Sequence, residues 1–164
     1  MQVVVADTGP PHYLILTGHI DILPALFALV SIPAAVRDEL DQPTTPASVR
    51  AWIRSPPPWL SVIDDLPTGQ DDALSALDDG ERAAITLAVR VKAQLLLMDD
   101  RAAVAAARAL GFAVTGTLGL LDRAARRGLL DLAAAFAALQ ATNFHTSQPL
   151  LDALIAAWRK DTGR

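Results

Sequence analysis

"QLLLMDDRAA", residues 94–103, runs four apolar residues straight into two aspartates, and "VVVADTGP", residues 3–10, makes the same move with one. An apolar run without polar alternation reads as a strand buried on both faces, which is how parallel sheets bury their strands. The two runs are bounded as Gln2 to Ala6 and Gln94 to Met98, and three more of the kind lie at Leu29 to Ile32, Leu60 to Ile63 and Phe112 to Thr115. Helical patterns separate them: His12 to Thr17, Asp21 to Ala28, Ala34 to Leu40, Ser48 to Arg54, Glu81 to Lys92, Ala102 to Leu110 and, after the last strand, Leu118 to Arg127, Leu132 to Gln140 and Pro149 to Arg159. Strands alternating with helices predict an α/β fold with a mostly parallel five-stranded sheet covered on both faces.

Local signals agree with these boundaries. Gly18, Gly111 and Gly128 sit where helices should end, and Pro33 sits at a helix start. "QPTTPAS" (42–48) and "SPPPW" (55–59) are proline-rich loops, and the acidic connection at 64–80 has room for one weak helical turn. None is long enough to separate domains, so residues 1–164 read as a single domain.

The chain has 164 residues, 52% hydrophobic and 20% charged, with a net charge of −4. Mean hydropathy is +0.31 and the pI about 5.2. No apolar run is long enough for a membrane span. The start, Met1-Gln2, lacks the basic flank of a secretory signal, and the expected compartment is cytoplasmic. With no cysteine, disulfides, thiolate metal sites and cysteine nucleophiles are excluded. The negative field repels phosphate, so contact with nucleic acid needs a local basic patch or a metal.

In a parallel sheet Asp7 and the Asp99-Asp100 pair leave at the carboxyl edge, where open α/β sheets bind ligands. Two further acids follow from helical phase. In "GERAAITLAVRVK" Glu81 falls near the centre of the apolar stripe, with Arg90 nearly opposite; in "PAAVRDEL" Glu39 lies at the rim of the buried side and Asp38 on the far side. Each acid has a plainer reading: Asp7, Asp99 or Asp100 as a helix cap, Glu81 as a partner of the helix dipole, Glu39 as a solvated surface acid. Capping explains one acid per helix. It does not explain Asp7, Glu39, Glu81 and the Asp99-Asp100 pair converging on one edge. Hard divalent cations, Mg²⁺ or Mn²⁺, prefer carboxylate oxygen and are held by a few acids together with substrate phosphate, which points to phosphodiester hydrolysis.

The order "VVVADTGP", "IPAAVRDEL", "GERAAITLA", "LLLMDDR", "VTGTLGLL" resembles the PIN-domain ribonucleases, in particular the prokaryotic branch related to VapC toxins, over residues 1 to about 128. The resemblance implies a three-layer α/β/α sandwich, an acidic Mg²⁺ or Mn²⁺ site, RNA cleavage, a homodimer and inhibition by an antitoxin encoded alongside. By position it implies catalytic roles for Asp7, Glu39, Glu81 and Asp100, and metal ligation by Asp7, Glu81, Asp99 and Asp100, with Asp100 favoured over Asp99 at the strand end. Gly9, with Thr8 beside it, takes the place of the small residue lining such sites. The chain departs from the common toxin pattern in carrying Glu81 where aspartate is usual, and residues 129–164 form a helical extension.

Other features are weaker. "TGTLG" (115–119) lacks the spacing of a phosphate-binding loop and reads as a strand-to-helix turn, with Thr115 or Thr117 as the residues able to line the site. His12, His19 and His145 have no ligand spacing. Most arginines read as solvated faces, with Arg101, beside the acids, the best phosphate contact. Trp52, Trp59 and Trp158 are too scattered for a base-stacking platform and read as packing residues. The helix starting near Ser147 presents Leu150, Leu151, Leu154, Ile155 and Trp158, a face too broad for water, and is expected to dock on its own domain or a sister subunit. Two other functions fit the acids: an aspartate-nucleophile phosphohydrolase, whose second aspartate would fall at Gly9, and a PIN-like binding module without catalysis.

Overall fold

Each apolar run forms a strand in the computed structural model, which describes residues 2–64, 66 and 72–163. The strands are β1 (Val4–Ala6), β2 (Val30–Pro33), β3 (Leu60–Ile63), β4 (Leu95–Leu97) and β5 (Val114–Thr115), each within two residues of the bounds read from the sequence. They pair in the order β3-β2-β1-β4-β5, every pair parallel. β1 and β4 lie in register, Val4 opposite Leu95 and Ala6 opposite Leu97, and the Asp7 N–H donates to the Leu97 carbonyl at 2.9 Å. The two acid-tipped strand ends are thereby level and adjacent.

The helices are α1 (Gly9–Leu16), α2 (Ile22–Phe27), α3 (Ala34–Leu40), α4 (Ala47–Arg54), α5 (Asp79–Val91), α6 (Arg101–Ala109), α7 (Thr117–Arg126), α8 (Leu132–Gln140) and α9 (Gln148–Thr162). α1 starts at Gly9, earlier than His12, because Pro10 and Pro11 come preset for a first helical turn, where no intrahelical N–H is needed. α9 runs three residues past Arg159 and stops at Gly163, whose φ of +71° few other residues would adopt. A single 3₁₀ turn at Asp72–Leu74 is the weak turn expected in the acidic connection; residues 65 and 67–71 of that connection lie outside the described residues.

Strand alternation divides the core between the two faces of the sheet. Val4, Ala6, Leu95 and Leu97 join a cluster with α1, α2, α4, α7, α8 and α9, while Val5, Leu96 and Met98 join another with α5 and α6. This is the expected α/β/α sandwich. The C-terminal helices belong to the first cluster. Leu151 and Trp158 of α9 are buried in it, and Leu154 and Ile155 pack against it, so the apolar face docks on its own chain and leaves Leu150 exposed. Ser147 Oγ accepts the Leu150 N–H at 3.3 Å, capping α9. Trp52 and Trp59 pack on this core with ring centroids 5.8 Å apart, as packing residues. Two arginines do more than face solvent: Arg126 pairs with Asp122 and with Asp161 of α9, and Arg123 lies 5.1 Å over the Phe27 ring. No helix among the described residues is long and apolar enough to cross a membrane.

Candidate active site

The sheet order reverses at β1, with β2 and β3 to one side and β4 and β5 to the other. Such a switch point opens a crevice beyond the carboxyl ends of the two central strands, and Asp7, Asp99 and Asp100 all emerge there.

Asp7 is 5% exposed, and its Oδ1 is buried with no hydrogen-bond partner among the described residues. The cause lies in the chain just after it. Thr8 is the N-cap of α1, and the next positions are Gly9, Pro10 and Pro11. Pro10, three residues on from Asp7, has no N–H, so one of the two donors that a capping side chain uses is missing, and the other, the Gly9 N–H, does not bond Asp7 Oδ1. The helix-cap reading of Asp7 therefore fails. Burial pushes its carboxyl from 3.8 up to about 7; the Thr8 N–H works in the opposite direction, and the charges of Asp78, Glu39 and Glu81 add to the rise.

Glu39 and Glu81 both engage the start of α5. Glu39, half-buried at the end of α3, accepts the Thr8 hydroxyl through Oε2 and the Gly80 N–H through Oε1 at 3.0 Å. Asp38 is exposed and pairs with Arg37. A Cβ at Gly80 would lie 2.4 Å from Glu39 Oε1, so a side chain there would displace the Glu39 carboxylate. Asp78 is the N-cap of α5: its Oδ1 accepts the Glu81 N–H at 2.8 Å, and Glu81 Oε2 accepts the Asp78 N–H at 3.2 Å. Glu81 is thus a capping-box residue aimed at the crevice. Burial pushes its carboxyl to about 7, the Asp78 N–H opposes this, and the charges of Asp78 and Asp100 add to it.

The two aspartates after β4 divide. Asp99, half-buried, accepts the Thr117 N–H and the Thr117 hydroxyl, both at 2.7 Å, one through each carboxylate oxygen. Burial raises its pKa and these bonds lower it. It is wedged between backbones, since a Cβ at Gly9 would lie 2.8 Å from its Oδ2 and one at Gly116 2.6 Å from its Oδ1. Asp100 is exposed and caps α6, its Oδ2 accepting the Ala103 N–H at 3.1 Å, with its charge felt at Glu81. Arg101 is exposed beside it. Thr115 turns its hydroxyl toward Gly119, where a Cβ would lie 2.4 Å away.

The DUF3368 family model, described as a PIN domain, matches residues 3–160. The chain belongs to the PIN-domain family. No curated protein and no solved structure gives a significant match. PIN domains are generally nucleases, hydrolases that typically use divalent cations, and the family match suggests a function of nuclease type. The match takes in α8 and most of α9.

Of the residues singled out in the sequence, this PIN domain brings Asp7, Glu39, Glu81 and Asp100 into one electrostatic neighbourhood. Asp99 and Thr117 satisfy each other, Thr8 is engaged by Glu39, and Gly9 supplies the space that Asp99 fills. Asp78 and Gly80 were missed. The D-x-x-E spacing of "DDGE" (78–81), a capping-box signature, was the signal for Asp78. Among the described residues no three acids or histidines are grouped closely enough to form a full set of metal ligands. The donor chemistry still fits a hard cation: an orphaned buried carboxylate oxygen on Asp7, and two carboxyls pushed to about 7 by burial and by the neighbouring acids. Mg²⁺ in particular is commonly held by one or two carboxylates together with substrate phosphate.

Also lost is the room for an aspartyl phosphohydrolase. The second aspartate of that class would stand at Gly9, where a Cβ would press on the Asp99 carboxylate at 2.8 Å.

Proposed function

We propose that this PIN domain is a metal-dependent endoribonuclease and the toxin of a type II toxin–antitoxin pair, related to the VapC branch. It acts in the cytoplasm as a homodimer, restrained by an antitoxin protein. The observation that carries the nuclease reading is Asp7: buried, without a partner on Oδ1, and crowded by Asp78, Glu39 and Glu81. Such a carboxylate is costly to the fold unless a cation meets it. The toxin assignment rests on the motif order around the acids.

In this reading Asp7 and Glu81 hold Mg²⁺ or Mn²⁺, with Asp100 on the same side through its free Oδ1. The cation, when bound, offsets charge on the phosphoryl oxygens and activates water for attack. Glu39 and Asp78 are positioning residues: by accepting the Gly80 and Glu81 N–H groups they hold the start of α5 against β1. Asp99 positions the start of α7 through Thr117. Arg101 is the side chain available to an RNA phosphate in an otherwise acidic neighbourhood. Residues 1–164 form one domain, with 129–164 a helical extension folded onto it.

Purified full-length protein, given Mn²⁺ or Mg²⁺ and single-stranded RNA, should cleave it, and a chelator should stop the reaction. Asp7→Asn should lower cleavage by more than the roughly 10- to 100-fold lost on removing a supporting residue. Unchanged cleavage in Asp7→Asn, or cleavage indifferent to chelator, contradicts the reading. Growth arrest on expression, relieved by the product of a neighbouring reading frame, tests the toxin assignment.

A further inference from the structure

Beside the acids lies a cleft of about 680 Å³. Thr8 and Glu39 of the acidic crevice are among its lining. The loop after α3 contributes Gln42, Thr44, Thr45 and Pro46, the loop between α8 and α9 contributes Thr142 and Asn143, and α1 contributes His12 and Leu16. The volume falls within the range of small-ligand sites, about 300–1,000 Å³.

The lining contains no lysine or arginine, and Glu39 is its one acid. A phosphate has nothing to attract it there. The remaining polar groups are neutral amides, hydroxyls and one imidazole, and burial lowers the His12 pKa, which favours the uncharged ring. Thr45 and Thr142 spend their hydroxyls on the carbonyls of Glu39 and Leu139. Gln42, Thr44 and His12 have no side-chain hydrogen bond among the described residues. Asn143 is held in one orientation: its Oδ1 accepts the Tyr13 hydroxyl at 3.0 Å, which leaves both amide hydrogens on Nδ2 to face outward. Tyr13 is itself braced edge-on by Phe144 at 4.9 Å and by His12 at 4.8 Å.

Neutral amide groups from two separate loops, a flat imidazole and apolar surface from Leu16 and Pro46 are what an unpaired nucleobase requires. Side-chain amides pair with the donor and acceptor edges of a base, and an aromatic ring takes its face. We propose that this cleft is a nucleobase subsite: it receives one unstacked base of single-stranded RNA next to the phosphate at the acids, and Gln42 and Asn143 read its edge. The subsite sets where along an RNA the chain cuts. The inference builds on the ribonuclease reading, yet the cleft can be tested without cleavage.

Uncharged nucleosides are the probe, since they carry no phosphate and need no metal. Adenosine, guanosine, cytidine and uridine are titrated in turn into metal-free full-length protein, and backbone amide shifts are followed by NMR. At least one nucleoside should shift Thr44, Thr45, Thr142 and Asn143 together, with an affinity at least tenfold lower in the double variant Gln42→Ala, Asn143→Ala. In parallel, a random single-stranded RNA pool is cleaved with Mn²⁺, and the base preference next to the cut, present in the wild type, should flatten at least tenfold in the double variant. Nucleoside shifts that fall elsewhere, or are the same in wild type and double variant, overturn the subsite even if RNA is cleaved. Cleft-specific nucleoside binding in a chain that cleaves no RNA supports the subsite and removes the ribonuclease reading. Dispersion in the amide spectrum confirms that the double variant is folded before either result is read.

Discussion

The ends of β1 and β4 are neighbours in the sheet with sequences of the same kind, an apolar run stopping on acid before a helix, and the fold treats them oppositely. After Asp100 comes "RAA", and the Ala103 N–H satisfies its carboxylate as an ordinary helix cap. After Asp7 comes "TGPP", and Pro10, at the place equivalent to Ala103, has no N–H to do the same. One end is content as it stands. The other is left with a buried, unmatched oxygen. A strand-end aspartate becomes a candidate for binding chemistry when the following turn cannot hydrogen-bond it, and its being acidic is not sufficient.

The largest test of this contrast is pH. The Asp7 carboxyl, ordinarily near 3.8, titrates near 7 in the folded chain. Between those values the folded state keeps a proton that the unfolded state has released, so metal-free stability falls as pH rises from about 4 to about 7 and then levels off. For Asp7 the loss is on the order of 4 kcal/mol. Glu81, also pushed up to about 7, adds to the same slope. Denaturant unfolding at several pH values should show the fall, and Asp7→Asn should remove most of it. A flat profile in the wild type would mean that Asp7 is not starved of partners.

Three smaller tests sharpen the difference. Asp99→Ala orphans the Thr117 N–H and hydroxyl and should cost about 1–3 kcal/mol in metal-free stability. Gly80→Ala forces the Glu39 carboxylate off its bond to the start of α5, with a comparable cost of about 1–3 kcal/mol measured the same way. Asp100→Ala removes only a cap and should cost about 1 kcal/mol. An Asp7→Asn variant as stable as wild type or more so, set against three destabilised ones, is the pattern expected at pH 7 without metal. Equal losses at all four positions would erase the distinction between the strand ends.

Much of this was legible in the sequence. Unbroken apolar runs located all five strands, and positive-φ glycines at 18, 111 and 128 marked helix ends. The phase of α5 aimed Glu81 at the crevice. That Pro10 has no N–H to offer Asp7 was also legible, as was the D-x-x-E of the α5 capping box. What the sequence could not reveal depends on partners brought together by the sheet order. Asp99 finds Thr117 because β4 and β5 are neighbours, and Glu39 meets Gly80 because α3 packs against α5. Periodicity has no access to either contact. Nor could it join Gln42 to Asn143, which line one cleft from loops far apart in the chain.

If Asp7 is left unsatisfied for a cation, calorimetric titration of Mn²⁺ into metal-free protein near pH 6 will show it. Wild type should bind Mn²⁺ and release protons as it does so, because Asp7 and Glu81 are largely protonated at that pH. Asp7→Asn should lose the binding, Asp100→Asn should weaken it, and Asp99→Asn should affect it less than Asp100→Asn. Mn²⁺ binding to Asp7→Asn with wild-type affinity and wild-type proton release would contradict the account.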